Sequence, residues 1–186
     1  MEDFGSIEYE KFLSGDPAGF ENVFRRYRDG MILFILRYVG DLQTAEDISQ
    51  DVFARIWLDR PRFSGKSLFK TWLYALARNA AIDYMRKRRR TAPDVASVSD
   101  TEDTFFERAF AEERRRALHR ALGELKPEYG RALYLCYFEE MPVREIAALE
   151  KKSPRQISDL IYNAKRALKA VITEREEYEI LRRGVE

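Results

Sequence analysis

The helical spacing of the apolar residues is the feature of this sequence that most limits its fold. Apolar side chains return every three or four residues from Phe20 to Met31, and again from Ile48 to Ile56. Glycines and prolines, which interrupt helices, number only 9 and 6 among 186 residues, and strand-like alternation is scarce. The sequence therefore predicts an all-α fold.

Breaks in this pattern divide the chain into two helical blocks. The first block is predicted to run from about Pro17 to Arg90, with interruptions near residues 39–41 and across 60–66, where Pro61 and Gly65 disturb the spacing. A block of this length, with two interruptions, predicts several helices that pack together as one small domain.

The second block is predicted to begin near Phe105 and to end near Val171. Its interruptions fall before Pro127, at residues 141–142 and at residues 151–153. The last interruption leaves two helices joined by a short turn, which is the arrangement of a helix-turn-helix.

The stretch between the blocks has a different composition. Residues 91–104 contain Pro, Ser, Thr and acidic residues with little apolar surface to bury, so this stretch is not expected to fold alone. We predict two small helical domains, residues 1–90 and 112–186, joined by a flexible acidic linker over residues 91–111.

Charge is distributed unevenly along the chain. The net charge is only +1, yet residues 60–90 hold 10 basic residues against 1 acidic residue, and residues 151–170 hold 6 against 1. Five of these cations are consecutive, from Arg86 to Arg90. Local basic islands on a balanced chain are typical of proteins that bind a polyanion such as nucleic acid.

Cysteine usage and hydropathy indicate the compartment. Cys136 is the only cysteine, so an internal disulfide is excluded, and the sequence has no apolar run of the length of a signal peptide or a membrane span. These features favour a cytoplasmic protein.

The start of the last helix carries a strong local signal. In Ser153-Pro154-Arg155-Gln156, a serine suits the N-cap, a proline suits the first helical position, and a glutamine can return a hydrogen bond to the cap. The spacing alone fits an ordinary helical hairpin as well as a DNA-binding one, and the basic island favours DNA. The apolar stripe predicted for this helix comprises Ile157, Leu160, Ile161, Ala164, Leu168 and Val171.

The first basic island interleaves aromatic residues with cations. Trp72, Asn79, Asp83 and Arg86 recur on one face of the predicted helix. Cations can hold phosphates, Asn and Arg can read base edges, and an aromatic ring can stack on an unpaired base. The alternative, that Trp72 and Tyr74 are core residues, stays open.

Three segments resemble, in order and spacing, the bacterial extracytoplasmic-function (ECF) sigma factors of the sigma-70 superfamily. They are AEDISQDVFARIW (45–57), FKTWLYALARNAAIDYMRKRRR (69–90) and REIAALEKKSPRQISDLIYNAKRAL (144–168). The resemblance implies a dissociable subunit that binds core RNA polymerase and promoter DNA and recognises the −35 and −10 elements. It implies no catalysis, cofactor, metal or small-molecule substrate, and it implies regulation by an anti-sigma factor.

The resemblance also implies roles for individual residues. The stretch that grips the clamp helices of the polymerase corresponds here to Asp47, Gln50, Asp51, Phe53 and Trp57. The loop that captures an unstacked base, and the helix that melts and reads the −10 element, correspond to Lys66, Lys70, Trp72, Tyr74, Arg78, Asn79, Asp83, Arg86 and Lys87. The −35 reading face corresponds to Arg155, Gln156, Ser158, Asp159, Tyr162 and Arg166.

The chain departs from the family's pattern near the turn. The family often has Leu-Gly where this chain has Glu150-Lys151, and it often has basic residues where this chain has Leu160 and Asn163. Because Asp159 is an acid on the reading face, we expect an unusual −35 preference.

Other functions fit the sequence less well. The segment SGKS at residues 64–67 is similar to the end of a phosphate-binding P-loop, but Arg60 stands where that motif needs glycine. With a single histidine, His119, and a single cysteine, neither a Cys/His zinc site nor a Cys-His nucleophile pair is expected. The main alternative is a stand-alone helix-turn-helix regulator that dimerises through its first block.

Overall fold

The computed structural model describes residues 3–91 and 113–173, without the side chains of 91 and 113–115. Within those two ranges the chain forms helices and their connections and no strand, which confirms the all-α prediction. The predicted linker, apart from residue 91, lies outside the described residues, as does the predicted helix start near Phe105. The chain divides into two compact units, Met1–Ser97 and Val98–Glu186. The bounds of the two domains and the linker set from the sequence remain a prediction.

Over its described residues, 3–91, the first unit forms four helices arranged around the second of them. These are α1 (Phe4–Leu13), α2 (Pro17–Val39), α3 (Leu42–Asp59) and α4 (Phe69–Thr91). Helix α2 packs against all three others. Six consecutive residues of α2, from Met31 to Leu36, are buried, as expected for a helix that has neighbours on every side.

Capping residues fix where these helices begin and end. Asp16 caps α2 ahead of Pro17, and Gly40 closes that helix with a left-handed φ of 74°. Asp41 then caps α3 by accepting a hydrogen bond from the amide of Thr44 (2.8 Å). The breaks predicted at residues 39–41 and 60–66 are confirmed.

Helix α1 was not predicted, and the expected start of the first block at Pro17 was wrong. Asp3 and Ser6 form a capping box for α1, with serine where the usual pattern has Glu or Gln, so the sequence signal was weak. Tyr9 and Phe12 are buried against the rest of the unit. A Cβ atom at Gly19 would collide with the backbone carbonyl of Glu8, so α1 and α2 approach closely only because this position is glycine.

The second unit contains α5 (Glu113–Gly123), α6 (Pro127–Leu133), a π-helical turn (Tyr134–Phe138), α7 (Val143–Glu150) and α8 (Pro154–Thr173). Helix α8 packs against α5, α6 and α7. The π-helical turn continues directly from α6 and was not predicted from the sequence. Helices α7 and α8, with the turn between them, form the predicted helix-turn-helix.

The predicted apolar stripe of α8 faces this small core. Ile157, Ile161 and Ala164 are buried, and the remaining members, Leu160, Leu168 and Val171, are half-buried. From α7, Ile146, Ala147 and Leu149 are buried in the same core.

One buried ion pair joins α6 to the end of α7. The Arg131 guanidinium Nε lies 3.4 Å from a carboxylate oxygen of Glu150, and both side chains are largely buried. Glu150 stands where the ECF pattern often has leucine, and in this chain that position forms an ion pair beside the turn.

Glu8 provides a test of the packing between α1 and α2. Its carboxylate accepts hydrogen bonds from Asn22 Nδ2 (2.7 Å) and Lys11 Nζ (2.6 Å). Both bonds lower the pKa of Glu8, and the bond from Asn22 has the larger effect. A lowered folded-state pKa stabilises the fold above the ordinary glutamate pKa, and the stabilisation is lost as pH falls through the lowered value.

We therefore expect Glu8→Gln to unfold at lower urea concentration than the wild type at pH 7, with the gap narrowing as the pH is lowered below 4. Glu10→Gln, on the exposed side of the same helix, is the control and should not change the urea midpoint at either pH. A gap that stays constant with pH would mean that Glu8 acts through packing and not through its charge.

Candidate nucleic-acid and polymerase interfaces

The capping box predicted for the last helix is present. The amide of Ser153 donates to Gln156 Oε1 (2.8 Å), and the amide of Gln156 donates to Ser153 Oγ (3.2 Å). Pro154 is the first residue of α8. This confirms the predicted start of the helix and fixes which side chains its first turns present.

The predicted reading residues of α8 are all exposed, opposite its buried stripe. Tyr162 is 64% exposed, which is unusual for an aromatic side chain on a packed helix. Asp159 lies one turn before Tyr162 on the same face. The hydroxyl of Ser158 donates to the carbonyl of Pro154 (3.0 Å), so part of its hydrogen-bonding capacity is used within the helix.

The turn before α8 contains a residue in an unfavourable conformation. Lys151, the C-cap of α7, has a left-handed φ of 55°. The amides of Lys151 and Lys152 both donate to the carbonyl of Ala147, which closes α7. Glycine, the residue the ECF pattern often has here, would adopt this conformation without steric cost.

Helix α4 presents most of the other predicted DNA-binding residues to solvent. Asn79, Asp83, Arg86 and Lys87 are exposed, and Lys70 and Arg78 are half-buried. The carboxylate of Asp83 lies 3.1 Å from the guanidinium of Arg86, so these two side chains of opposite charge hold each other in place on the helix surface. Lys66 is exposed in the loop that precedes α4.

Tyr74 requires a correction. Its side chain is 0% exposed and its ring lies 5.1 Å from that of Phe34 in α2, measured between centroids. The aromatic residues of this segment are divided between two faces of α4, and position 74 falls on the inner face. Tyr74 therefore belongs to the core, and the DNA-contact role expected from the resemblance does not suit it.

Trp72 is held by other aromatic rings while keeping part of its own surface accessible. Its ring centroid lies 5.3 Å from that of Tyr9, 5.2 Å from that of Phe69 and 5.5 Å from that of Phe63. The side chain is half-buried. Trp72 is thus a fixed aromatic platform beside the loop, and neither a core residue nor a freely rotating one.

The residues expected to bind polymerase cluster on α3. Asp47, Gln50 and Asp51 are exposed, and Trp57 is 44% exposed. Phe53, in contrast, is only 2% exposed, with its ring 4.9 Å from that of Phe24.

An open apolar groove of about 440 Å³ lies between α2 and α3 at this place. Phe53 contributes to its floor, and the exposed Gln50 and Trp57 line its sides. Sequence reasoning missed the contribution of α2 to this groove, namely Phe20 and Phe24, although their spacing of four residues places both on one helical face. The remaining lining residues are Ala54 and Leu58.

His119 and Cys136, the single histidine and the single cysteine of the chain, pack among other side chains of the second unit. His119 is buried, with its ring 5.9 Å from that of Tyr134 and 5.8 Å from that of Phe138. Burial raises the pKa of the Cys136 thiol. Among the described residues, no group of three or more His, Cys, Asp or Glu side chains could hold a metal ion, and none of their helices is long and apolar enough to cross a membrane.

Comparison with known proteins gives one family model for each of the two units of the chain. The family model for sigma-70 region 2 matches residues 23–91, and that for sigma-70 region 4 matches residues 115–168. The sigma factor CarQ of Myxococcus xanthus is 32% identical over 78% of this chain and 84% of its own. The sigma-H factor of Pseudomonas aeruginosa is 27% identical over 86% and 89%, and the ECF sigma factor SigM of Bacillus subtilis is 28% identical over 81% and 93%.

Two solved structures share the fold. One is CnrH in complex with the cytosolic domain of CnrY, with a TM-score of 0.65, 19% identity and coverage of 92% of this chain and 98% of that one. The other is the sigma factor RpoE in complex with the anti-sigma factor NepR from Bartonella quintana, with a TM-score of 0.67, 19% identity and coverage of 83% and 97%.

A two-unit helical protein with a helix-turn-helix in its second unit and a region 2 domain in its first defines a transcription initiation factor. The chain belongs to the sigma-70 family of RNA polymerase sigma factors, in its ECF group. It therefore directs promoter-specific transcription initiation. A stand-alone helix-turn-helix regulator is not favoured, because the first unit matches region 2.

The strained turn before α8 yields a stability prediction. Lys151→Gly should raise the free energy of unfolding by about 0.5–1 kcal/mol, because relief of the left-handed strain exceeds the added entropy of the unfolded chain. Lys152→Gly is the matched control: Lys152 is exposed, has no positive φ, and should lose about 0.5–1 kcal/mol. Chemical denaturation of both variants measures the difference, and equal losses would show that position 151 carries no strain.

Proposed function

We propose that this sigma factor divides its work among three surfaces: the groove face of α2 and α3 for core polymerase, α4 with its preceding loop for the −10 element, and the outer face of α8 for the −35 element. The observation that carries the proposal is the exposure pattern. The charged residues expected to contact a partner are solvent-accessible, whereas the apolar stripes behind them are buried.

The polymerase surface combines two kinds of contact. An apolar groove with Phe53 on its floor and Trp57 on its side can receive large side chains of a partner helix, and burial of such anchors supplies much of the free energy of a protein interface. Asp47 and Asp51 lie exposed on the same helix. Their carboxylates favour a basic partner and raise the association rate.

The −10 surface suits opening and capture of a strand. Trp72 offers an aromatic surface for an unstacked base, and Lys66 and Lys70 lie within a few residues of it in sequence to hold the phosphates. Asn79, Asp83 and Arg86 extend this surface along α4. Because single-strand stacking tolerates any base, we assign the reading of sequence to these polar side chains and strand capture to Trp72.

The −35 surface is the outer face of α8. Helix-turn-helix readers contact bases from the N-terminal turns of their second helix, and here those turns carry Arg155, Gln156 and Asp159. Arg166 lies on the same face two turns beyond Asp159, where a phosphate contact is expected. A carboxylate accepts a hydrogen bond from cytosine N4 and repels phosphate, so Asp159 is assigned to base discrimination.

Regulation and location follow from the same assignment. The structurally similar RpoE was solved with an anti-sigma factor, and we propose that an anti-sigma factor also binds this chain, with the apolar groove as one contact. The protein acts in the cytoplasm with core polymerase and performs no catalysis of its own.

Charge reversal tests the polymerase surface. Asp47→Lys combined with Asp51→Lys should weaken assembly with core polymerase by at least tenfold, since two carboxylates that favour a basic partner become cations that repel it. Glu10→Lys combined with Asp29→Lys makes the same charge change on exposed positions of α1 and α2 and should assemble normally. Light scattering or native gels measure assembly, and equal assembly of both double variants would contradict the assignment.

Transcription of a randomised −35 library tests the reading face. The library is built on a promoter found by transcribing genomic fragments with the holoenzyme. Asp159→Ala should relax discrimination at one −35 position by about 1–3 kcal/mol while leaving other sequences well bound. Arg166→Ala should weaken binding to every sequence alike. It should also reduce the salt dependence of binding by the amount that corresponds to about one phosphate contact. An unchanged base preference for Asp159→Ala would mean that Asp159 does not face the bases.

A further inference from the structure

Helix α1 contacts both ends of the loop that precedes α4. At the far end, the Asp3 carboxylate divides its two oxygens between two helices: Oδ1 accepts a hydrogen bond from the amide of Ser6 in α1, and Oδ2 accepts one from the amide of Phe69, the first residue of α4, both at 2.9 Å. One side chain therefore caps α1 and α4 together. The partners Asp3 and Phe69 are 66 residues apart in sequence.

Tyr9 holds the near end of the same loop. Its hydroxyl donates to the carbonyl of Pro61 (2.6 Å), and its ring lies 5.4 Å from that of Phe69 and 5.3 Å from that of Trp72. Tyr9 is 1% exposed. Burial raises the pKa of the phenol to about 12, with Arg60 opposing part of the rise, so the hydroxyl remains a hydrogen-bond donor at any physiological pH.

A third contact adjoins the second. The guanidinium of Arg60 lies over the ring of Phe12, 4.9 Å from its centroid, and Arg60 has a left-handed φ of 43°. Because left-handed backbone is costly for a residue with a side chain, neighbouring contacts must maintain it. Helix α1 thus fixes where the loop leaves α3 and where it enters α4.

The part of the loop between these anchors is directed to solvent. Arg62 and Lys66 are exposed, while Phe63 packs on Phe69 and Trp72. Helix α1 lies outside residues 23–91, the segment matched by the region 2 model. Its contacts with the loop are therefore additional to the part of the fold that the family model describes.

We propose that α1 is a positioning element for promoter opening, in which Asp3 and Tyr9 hold the loop and Trp72 in the geometry that receives an unstacked base. The inference rests on the proposed role of α4 and its loop. A loop ordered before the base arrives loses less conformational entropy on capture, and so captures the base more readily. Asp3 and Tyr9 themselves need not touch DNA.

The first test removes one hydroxyl from the assembled holoenzyme. Tyr9→Phe keeps the buried ring and deletes only the bond to Pro61. We expect opening of a duplex promoter to slow by about two- to tenfold, which is the change expected for the loss of one hydrogen bond. The permanganate reactivity of the −10 thymines measures this opening. Closed-complex binding and core assembly should match the wild type. Tyr38→Phe, a hydroxyl deletion near the end of α2, should open normally.

A second pair of variants separates loop positioning from helix capping. Asp3→Ala and Asp16→Ala each remove an N-cap aspartate, but only Asp3 also accepts the bond from Phe69. Thermal unfolding should show a loss for both variants, whereas slow opening should appear only in Asp3→Ala. A promoter with a mismatched −10 element needs no melting. On this promoter, the rate of RNA synthesis by Tyr9→Phe and Asp3→Ala should return much of the way to that of the wild type.

Trp72→Ala distinguishes the two levels of the proposal. Slow opening in Trp72→Ala with normal opening in Tyr9→Phe and Asp3→Ala overturns the positioning role and leaves the proposed function intact. Normal opening in Trp72→Ala overturns the assigned role of Trp72 in strand capture, and the inference with it. Equal slowing by Asp3→Ala and Asp16→Ala, or no gain on the mismatched promoter, shows a general loss of stability and also overturns the positioning role.

Discussion

Burial of α2 is the interaction on which the first unit depends. Its six consecutive buried residues, Met31 to Leu36, give α1, α3 and α4 a common apolar surface to pack against. Removing that much apolar surface from water is the largest favourable contribution available to a unit of this size. The outer faces of α3 and α4 thereby remain accessible, with exposed charged residues beside the partly exposed rings of Trp57 and Trp72.

The two outer faces carry opposite charge. Exposed carboxylates stand on α3, whereas α4 ends in a run of cations, and helices α2 and α3 meet in the apolar groove. The surface proposed for polymerase and the surface proposed for DNA thus lie on different helices of one unit.

Much of the fold could be predicted from the sequence, and the reasons differ by element. Periodicity located α2, α3 and α4, and the capping box at Ser153 located α8, because such signals act locally; Asp16 and Asp41 cap α2 and α3 in the same local way. Helix α1 escaped prediction because its stability depends on contacts with distant residues and its capping box uses an atypical serine. The side on which an aromatic residue lies was also beyond local reasoning: Tyr74 is buried and Trp72 is half-buried, although both lie in one helix two residues apart. Contacts between elements decide such cases, and a single sequence does not contain them explicitly.

The ion pair between Arg131 and Glu150 limits how the helix-turn-helix of this protein can vary. Changing Glu150 alone to the leucine that the family's pattern often has would take a carboxylate away from a buried guanidinium, and breaking such pairs costs about 3–5 kcal/mol. Changing both residues to well-packed apolar side chains is commonly neutral or stabilising. The two positions are therefore coupled: a variant that changes Glu150 alone should be less stable than one that changes Arg131 and Glu150 together.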